Sequence, residues 1–135
     1  RKTDALPFKA AVEAGVEMVM VGHLRYPKWE ECPTSLSRVA VATLRKELGF
    51  EGVVVTDDLG MGALREIDPF QVVDRAIRAG VDLLLSASFP VPIEDLITHL
   101  RRRVHRGDVS EKRLDVSLRR ILTMKARRFE LAAPG

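Results

Sequence analysis

Three short segments of this chain are apolar on both faces, and each follows a stretch with helical periodicity. The segments are Glu17–Val21, Gly52–Thr56 and Asp82–Ser86. A strand that is apolar on both faces is typical of a parallel sheet covered by helices on its two sides. The alternation of helix and strand predicts an α/β fold with right-handed crossovers, in which the three strands are parallel neighbours in sequence order.

Capping signals place the boundaries of the helices between these strands. Ser37 and Asp68 are favourable N-caps, and Asp68 is followed by a proline at the first helical position. Gly15, Gly49 and Gly80 end the first three helical patterns, because glycine tolerates the positive φ of a helix end. After the third strand the pattern is only helical, and two amphipathic stripes follow.

The spacing of the strands suits consecutive βα units of either a barrel or an open doubly wound sheet. Their starts, taken at residues 17, 53 and 82, lie 36 and 29 residues apart, and three strands complete neither architecture. The chain also opens without an initiating methionine. We therefore expect residues 1–135 to form a single partial domain of a longer protein.

The composition fits a globular chain, with 46% hydrophobic and 30% charged residues in a length of 135. The longest apolar runs are strand-sized, far below the roughly 20 residues that a membrane helix needs, so no membrane partner is expected. Cys32 is the single cysteine, which excludes an internal disulfide. It leaves the compartment open, with the cytoplasm favoured.

Positive charge is concentrated near the end of the chain. Residues 99–135 hold 11 of the 22 Lys and Arg residues but 4 of the 19 Asp and Glu residues. The helical patterns put these arginines, with His99 and His105, on solvated outer faces, and no aromatic residues are interleaved to stack on bases. We therefore expect no nucleic-acid partner.

Two aspartates follow the second strand directly and are the main candidates for chemistry. Asp57 and Asp58 stand where α/β enzymes place their active sites, at the carboxyl end of a parallel strand. Because successive strand residues point to opposite faces, the two carboxylates are not a paired acid and base. The simpler alternative for each is a cap of the turn 59–66.

Other readings of this strand end are weaker. A metal site would need further ligands, and only His23 lies at a comparable strand end, so no metal is expected. His23 either contacts a polar substrate or forms a hydrogen bond at the rim of the sheet. The sequence has no nucleotide-binding glycine fingerprint, and Gly60-Met-Gly62 lacks its third glycine, so no cofactor is implied.

Several motifs follow one another along the chain. They are Val21–Pro27, Pro33–Ser37 and Leu44–Met61, which ends in Thr-Asp-Asp-Leu-Gly-Met. In this order they resemble glycoside hydrolase family 3, specifically its β-N-acetylhexosaminidase branch. The closing segment Gly107–Leu122 is similar to the last helix of that family's catalytic domain.

The resemblance implies the C-terminal portion of a (β/α)8 barrel, with about three parallel strands and outer helices. It makes Asp57 the nucleophile of a retaining glycoside hydrolase that removes terminal β-linked N-acetylglucosamine through a glycosyl-enzyme intermediate. Asp58 is then a structural residue at the site, and His23 and Met61 are wall residues of the sugar pocket. The implied partner is a carbohydrate derived from cell wall or chitin.

The chain also departs from the family pattern. The branch carries its general acid/base histidine on a loop near a Lys-His-Phe-Pro-Gly-His segment, which this chain lacks. We therefore expect these residues alone to be inactive and to self-associate through an open strand edge. A family 3 β-glucosidase and a non-catalytic half-barrel that binds a partner are the alternatives.

Overall fold

The computed structural model of the chain describes residues 5–27 and 30–129. Helices and strands alternate along the first part of the chain, and two longer helices close it. The elements are α1 (Leu6–Glu13), β1 (Met18–Val21), α2 (Arg38–Ala42, continued by a π-helical turn over Thr43–Glu47), β2 (Val53–Thr56), α3 (Pro69–Ala79), α4 (Ile93–His105) and α5 (Glu111–Phe129). Short 3₁₀ turns lie at Thr34–Leu36 and Gly62–Leu64. None of the described helices is long and apolar enough to cross a membrane.

The first two predicted strands pair in parallel, as expected from the alternation with helices. Val19 lies opposite Val54, and Val21 lies opposite Thr56 at the carboxyl end of the pair. Val19 and Val54 are buried among side chains of α2 and the end of α3. By strand alternation, Val53 and Val55 lie on the opposite face of the sheet.

The predicted third strand, Asp82–Ser86, is not formed as a strand. The segment runs parallel to β2, but it makes one isolated bridge, between Val55 and Leu83. Side chains replace backbone partners at both ends of this ladder: the N–H of Val54 donates to Asp82, and the N–H of Leu85 donates to the hydroxyl of Thr56 at 3.0 Å. The order of the three segments is therefore as predicted, whereas the third has too few ladder bonds to count as a strand.

The predicted helix caps are confirmed. The hydroxyl of Ser37 accepts the N–H of Ala40 at 3.0 Å, and the carboxylate of Asp68 accepts the N–H of Gln71 at 3.0 Å. Gly80 ends α3 with a φ of 107°. Its position brings it against Val41, which links the end of α3 to α2. These caps fix the crossovers that carry the chain from one parallel segment to the next.

The expectation that the basic residues near the end of the chain all lie on solvated faces is wrong for several of them. Arg113 and Arg120 of α5 lie against the carboxylate of Asp82, whose side chain is 0% exposed. His99 of α4 forms a 2.9 Å hydrogen bond with Asp74 and is not simply solvated. Helical periodicity predicts the helix face on which a side chain lies. It does not show that a buried carboxylate, here that of Asp82, lies opposite that face.

Candidate active site

Asp57 lies directly after β2, at the carboxyl end of the parallel pair. Its N–H donates to the carbonyl of Val21 at 3.0 Å, which continues the ladder one step beyond the last strand residue. Its Oδ1 accepts the N–H of Asp58 at 2.8 Å. Within the described residues no hydrogen bond is made to Oδ2, and the residue is half-buried. One carboxylate oxygen is therefore fixed by the backbone, and the other is open.

The Asp58 carboxylate accepts three backbone N–H groups and one hydroxyl, and within the described residues no hydrogen bond joins it to the Asp57 carboxylate. Its Oδ1 accepts the N–H of Gly60 and of two residues in the loop after the third parallel segment, Ala87 and Ser88. Its Oδ2 accepts the hydroxyl of Ser88 at 2.5 Å. This hydroxyl, followed by the backbone N–H groups, lowers the pKa of Asp58 to about 2. The carboxylate is thus held ionised and acts as a cap for two loops.

His23 follows β1 and is buried at the rim of the sheet. Its Nε2 lies 2.9 Å from the carbonyl oxygen of Asp58, and its Nδ1 lies 2.7 Å from the hydroxyl of Ser35. Because a carbonyl oxygen can only accept a hydrogen bond, Nε2 carries the proton and donates a hydrogen bond to the carbonyl of Asp58. Both ring nitrogens therefore have protein partners, which favours the rim interpretation over contact with a substrate.

Met61 comes next after the turn that Asp58 caps. Its N–H donates to the carbonyl of Asp58 at 3.0 Å, and the residue is 45% exposed. The structure brings Asp57, Asp58, His23 and Met61 to one end of the sheet. Asp58 is the centre of this group. Its N–H donates to Asp57, its carbonyl accepts from His23 and Met61, and its carboxylate binds the neighbouring loops.

The sequence patterns did not predict a role for three residues of this site. Ser35 and Gly60 lie inside motifs that were noted, but no role followed from them. Ser88 has no sequence signal, because a single serine in a polar loop is common and its partner lies 30 positions away. The closeness of these groups depends on the parallel alignment of the strand ends.

Chemically, the site offers one partly free carboxylate beside a fully bonded one. Such a pair suits one nucleophile and one fixed support. Within residues 5–27 and 30–129, no three His, Cys, Asp or Glu side chains form a group that could hold a metal ion.

The sequence profile of the Glycosyl hydrolase family 3 N terminal domain matches residues 1–124 of the chain. The chain belongs to glycoside hydrolase family 3. The resemblance of the strand-end motifs is thereby confirmed at the level of the family.

Two curated proteins are similar to this chain over most of its length. A β-hexosaminidase of Hydrogenovibrio crunogenus is 34% identical over 113 residues, which cover 82% of this chain and 31% of that protein. A β-N-acetylglucosaminidase/β-glucosidase of Cellulomonas fimi is 33% identical over 132 residues, which cover 88% of this chain and 23% of that protein.

Solved structures share the fold of this chain. A β-N-acetylglucosaminidase from Paenibacillus sp. str. FPU-7 aligns with a TM-score of 0.83 and 35% identity, covering 96% of this chain and 25% of that one. The β-N-acetylglucosaminidase from Thermotoga maritima aligns with a TM-score of 0.80 and 26% identity, covering 91% and 28%. The chain thus spans about a third or less of the length of these relatives.

Proposed function

We propose that this chain is the C-terminal portion of a family 3 (β/α)8 barrel and that the complete protein is a retaining β-N-acetylglucosaminidase. The observation that carries the proposal is the open carboxylate oxygen of Asp57 at the end of β2. In a βα barrel, catalytic groups stand at the carboxyl ends of the strands. In this proposal, the third parallel segment, residues 82–86, lies beside β2 on one edge, and its other edge faces a strand supplied by residues outside this chain.

In the proposed reaction, Oδ2 of Asp57 attacks the anomeric carbon of the sugar. A carbon–oxygen bond forms to the carboxylate while the bond to the leaving group breaks, and a general acid from outside these 135 residues protonates the leaving oxygen. Water, deprotonated by the same group, then attacks the anomeric carbon and releases the sugar with its configuration retained. The Asp58 N–H holds the other carboxylate oxygen in place throughout.

Asp58 and His23 support this nucleophile, and neither is required to touch the sugar. Asp58 stays ionised because its oxygens accept four hydrogen bonds. Met61 is exposed beside the turn and remains our candidate for a wall of the sugar pocket.

Two observations support an N-acetylglucosamine-containing substrate. The relative from Hydrogenovibrio crunogenus is a β-hexosaminidase, and the similar structures from Paenibacillus and Thermotoga maritima are β-N-acetylglucosaminidases. The relative from Cellulomonas fimi is also a β-glucosidase, which makes glucoside hydrolysis the second candidate activity. A non-catalytic half-barrel that binds a partner is the candidate from a different class.

The test uses the complete protein with two aryl glycosides, the β-N-acetylglucosaminide and the β-glucoside. We expect turnover of the N-acetylglucosaminide, and proton NMR should show the β-anomer of the sugar as the first product. Higher kcat/KM for the glucoside would favour the second candidate activity. Absence of turnover with both would support the non-catalytic alternative, as would a gene that encodes no histidine-bearing loop before Arg1.

A further inference from the structure

The loop after the third parallel segment is bound to the turn that carries Asp57 through a single carboxylate. Asp58 accepts the N–H groups of Ala87 and Ser88 at 2.9 and 3.3 Å, and it also accepts the Ser88 hydroxyl. Hydrogen bonds to an ionised carboxylate are about twice as strong as those between neutral groups. The two loops are therefore held together by a charged contact and not only by the strand ladder.

Gly60 allows the two loops to come this close. A Cβ placed on Gly60 would lie 2.4 Å from the carbonyl carbon and oxygen of Ser88 and from its hydroxyl. No real Cβ contact is that short, so any side chain at position 60 would push the Ser88 loop away. The turn is built to keep Ser88 within hydrogen-bond reach of Asp58.

The contact between Ser88 and Asp58 is linked to Asp57 through the backbone N–H of Asp58. The N–H of Asp58 donates to Oδ1 of Asp57. The carboxylate of Asp58 is bound by Ser88, and its carbonyl is bound by His23. With both ends of Asp58 anchored, the direction of its N–H is set. The orientation of the Asp57 carboxylate follows from that direction.

We infer that Ser88 is a positioning residue for Asp57 and acts through Asp58, an inference that rests on the proposed function. Ser88 forms no hydrogen bond with the Asp57 carboxylate and is exposed. Removing its hydroxyl therefore opens no buried cavity, and the variant should fold. What it should lose is the alignment of the nucleophile, for which small misplacements are costly.

The test measures how fast an activated fluorinated N-acetylglucosaminyl fluoride inactivates the complete protein. The fluoride leaving group needs little help from a general acid, so the rate reports attack by the nucleophile. We expect Ser88→Ala to lower the limiting inactivation rate constant about 10-fold, with the half-saturating concentration unchanged. Ser88→Thr keeps the hydroxyl and should restore the rate. Ser86→Ala is the matched control, and its rate should equal that of the wild type.

The outcomes separate this inference from the proposed function. Labelling of wild-type Asp57 together with an unchanged rate in Ser88→Ala would overturn the inference and leave the proposed function standing. A wild type that is not labelled at Asp57 would overturn both. Gly60→Ala provides a second variant, since it displaces Ser88 without removing the hydroxyl, and it should slow inactivation in the same way.

Discussion

The carboxylate of Asp82 lies 3.1 Å from Nη1 of Arg120, although 38 positions separate the two residues. Asp82 also binds Arg45 at 2.5 Å and the hydroxyl of Ser117 at 2.6 Å. Burial lowers the pKa of Arg45, and the charge of Asp82 acts against that shift. One buried carboxylate thus joins α2 and α5 to the start of the third parallel segment.

Replacing this carboxylate should be costly, because it would leave half-buried guanidinium groups without their counter-charge. We expect Asp82→Ala to lower the free energy of unfolding by about 3 kcal/mol, as measured by urea denaturation of the complete protein. Asp115→Ala removes a carboxylate from an exposed position of the same α5 helix. The control should change stability by less than about 0.5 kcal/mol. Equal losses in the two variants would contradict the role given to Asp82.

Substitution of the two adjacent aspartates should separate catalysis from support. In the complete protein, Asp57→Ala should lower kcat by about 10⁴-fold or more, since no nucleophile remains. Asp58→Ala should lower it only about 10–100-fold, because the nucleophile is present but less well oriented. Asp68→Ala is a control for stability, since it removes the cap of α3 and should cost about 1 kcal/mol without changing kcat. A larger loss of kcat in Asp58→Ala than in Asp57→Ala would contradict the assignment.

The low pKa of Asp58 predicts a specific acid dependence. The group has a pKa of about 2 when folded, below the roughly 3.9 of an unfolded aspartate, so unfolding takes up protons between these values. Its contribution to stability is present above about pH 4 and is lost as the pH falls toward 2. The difference in unfolding midpoint between wild type and Asp58→Asn should therefore be largest above pH 5 and close to zero near pH 2. A difference that stayed constant over this range would exclude a role for the ionised carboxylate.

The 135 residues alone should hydrolyse no glycoside at a measurable rate. Under the proposed function, the general acid, which is worth about 10²–10⁴-fold, and most of the groups that orient the sugar are supplied from outside these residues. Apolar side chains near the strand ends, including Met20, Leu24 and Leu83, are 38–66% exposed, so gel filtration should show self-association. A monomer that releases the aryl group from an N-acetylglucosaminide, and loses this activity with Asp57→Ala, would show that the chain holds a complete site.

The fold could be predicted where the signals are local. Ser37, Asp68 and Gly80 cap their helices in ways that follow from neighbouring backbone groups, and the apolar strands β1 and β2 pair as their patterns indicate. The sequence predicted a third strand that is not formed. An apolar run does not show that side chains will accept the N–H groups that would otherwise bond to the backbone of the neighbouring strand.

The site could be predicted only in part, because local patterns do not report contacts between distant residues. The motif and the position after the second strand are enough to predict Asp57 as the nucleophile. Ser88 and the inward arginines of α5 become visible only after folding, because their partners Asp58 and Asp82 are distant in the sequence. Periodicity reports the face of an element, and the contact across that face depends on tertiary packing.

The most direct test of Asp57 as the nucleophile is covalent trapping in the complete protein. After incubation with the fluorinated N-acetylglucosaminyl fluoride, proteolysis and mass spectrometry should find the sugar on the peptide that contains Asp57, with fragmentation placing the added mass on that carboxylate. Asp57→Ala should carry no label. Stoichiometric labelling of another carboxylate in the wild type, with Asp57 unmodified, would contradict the account.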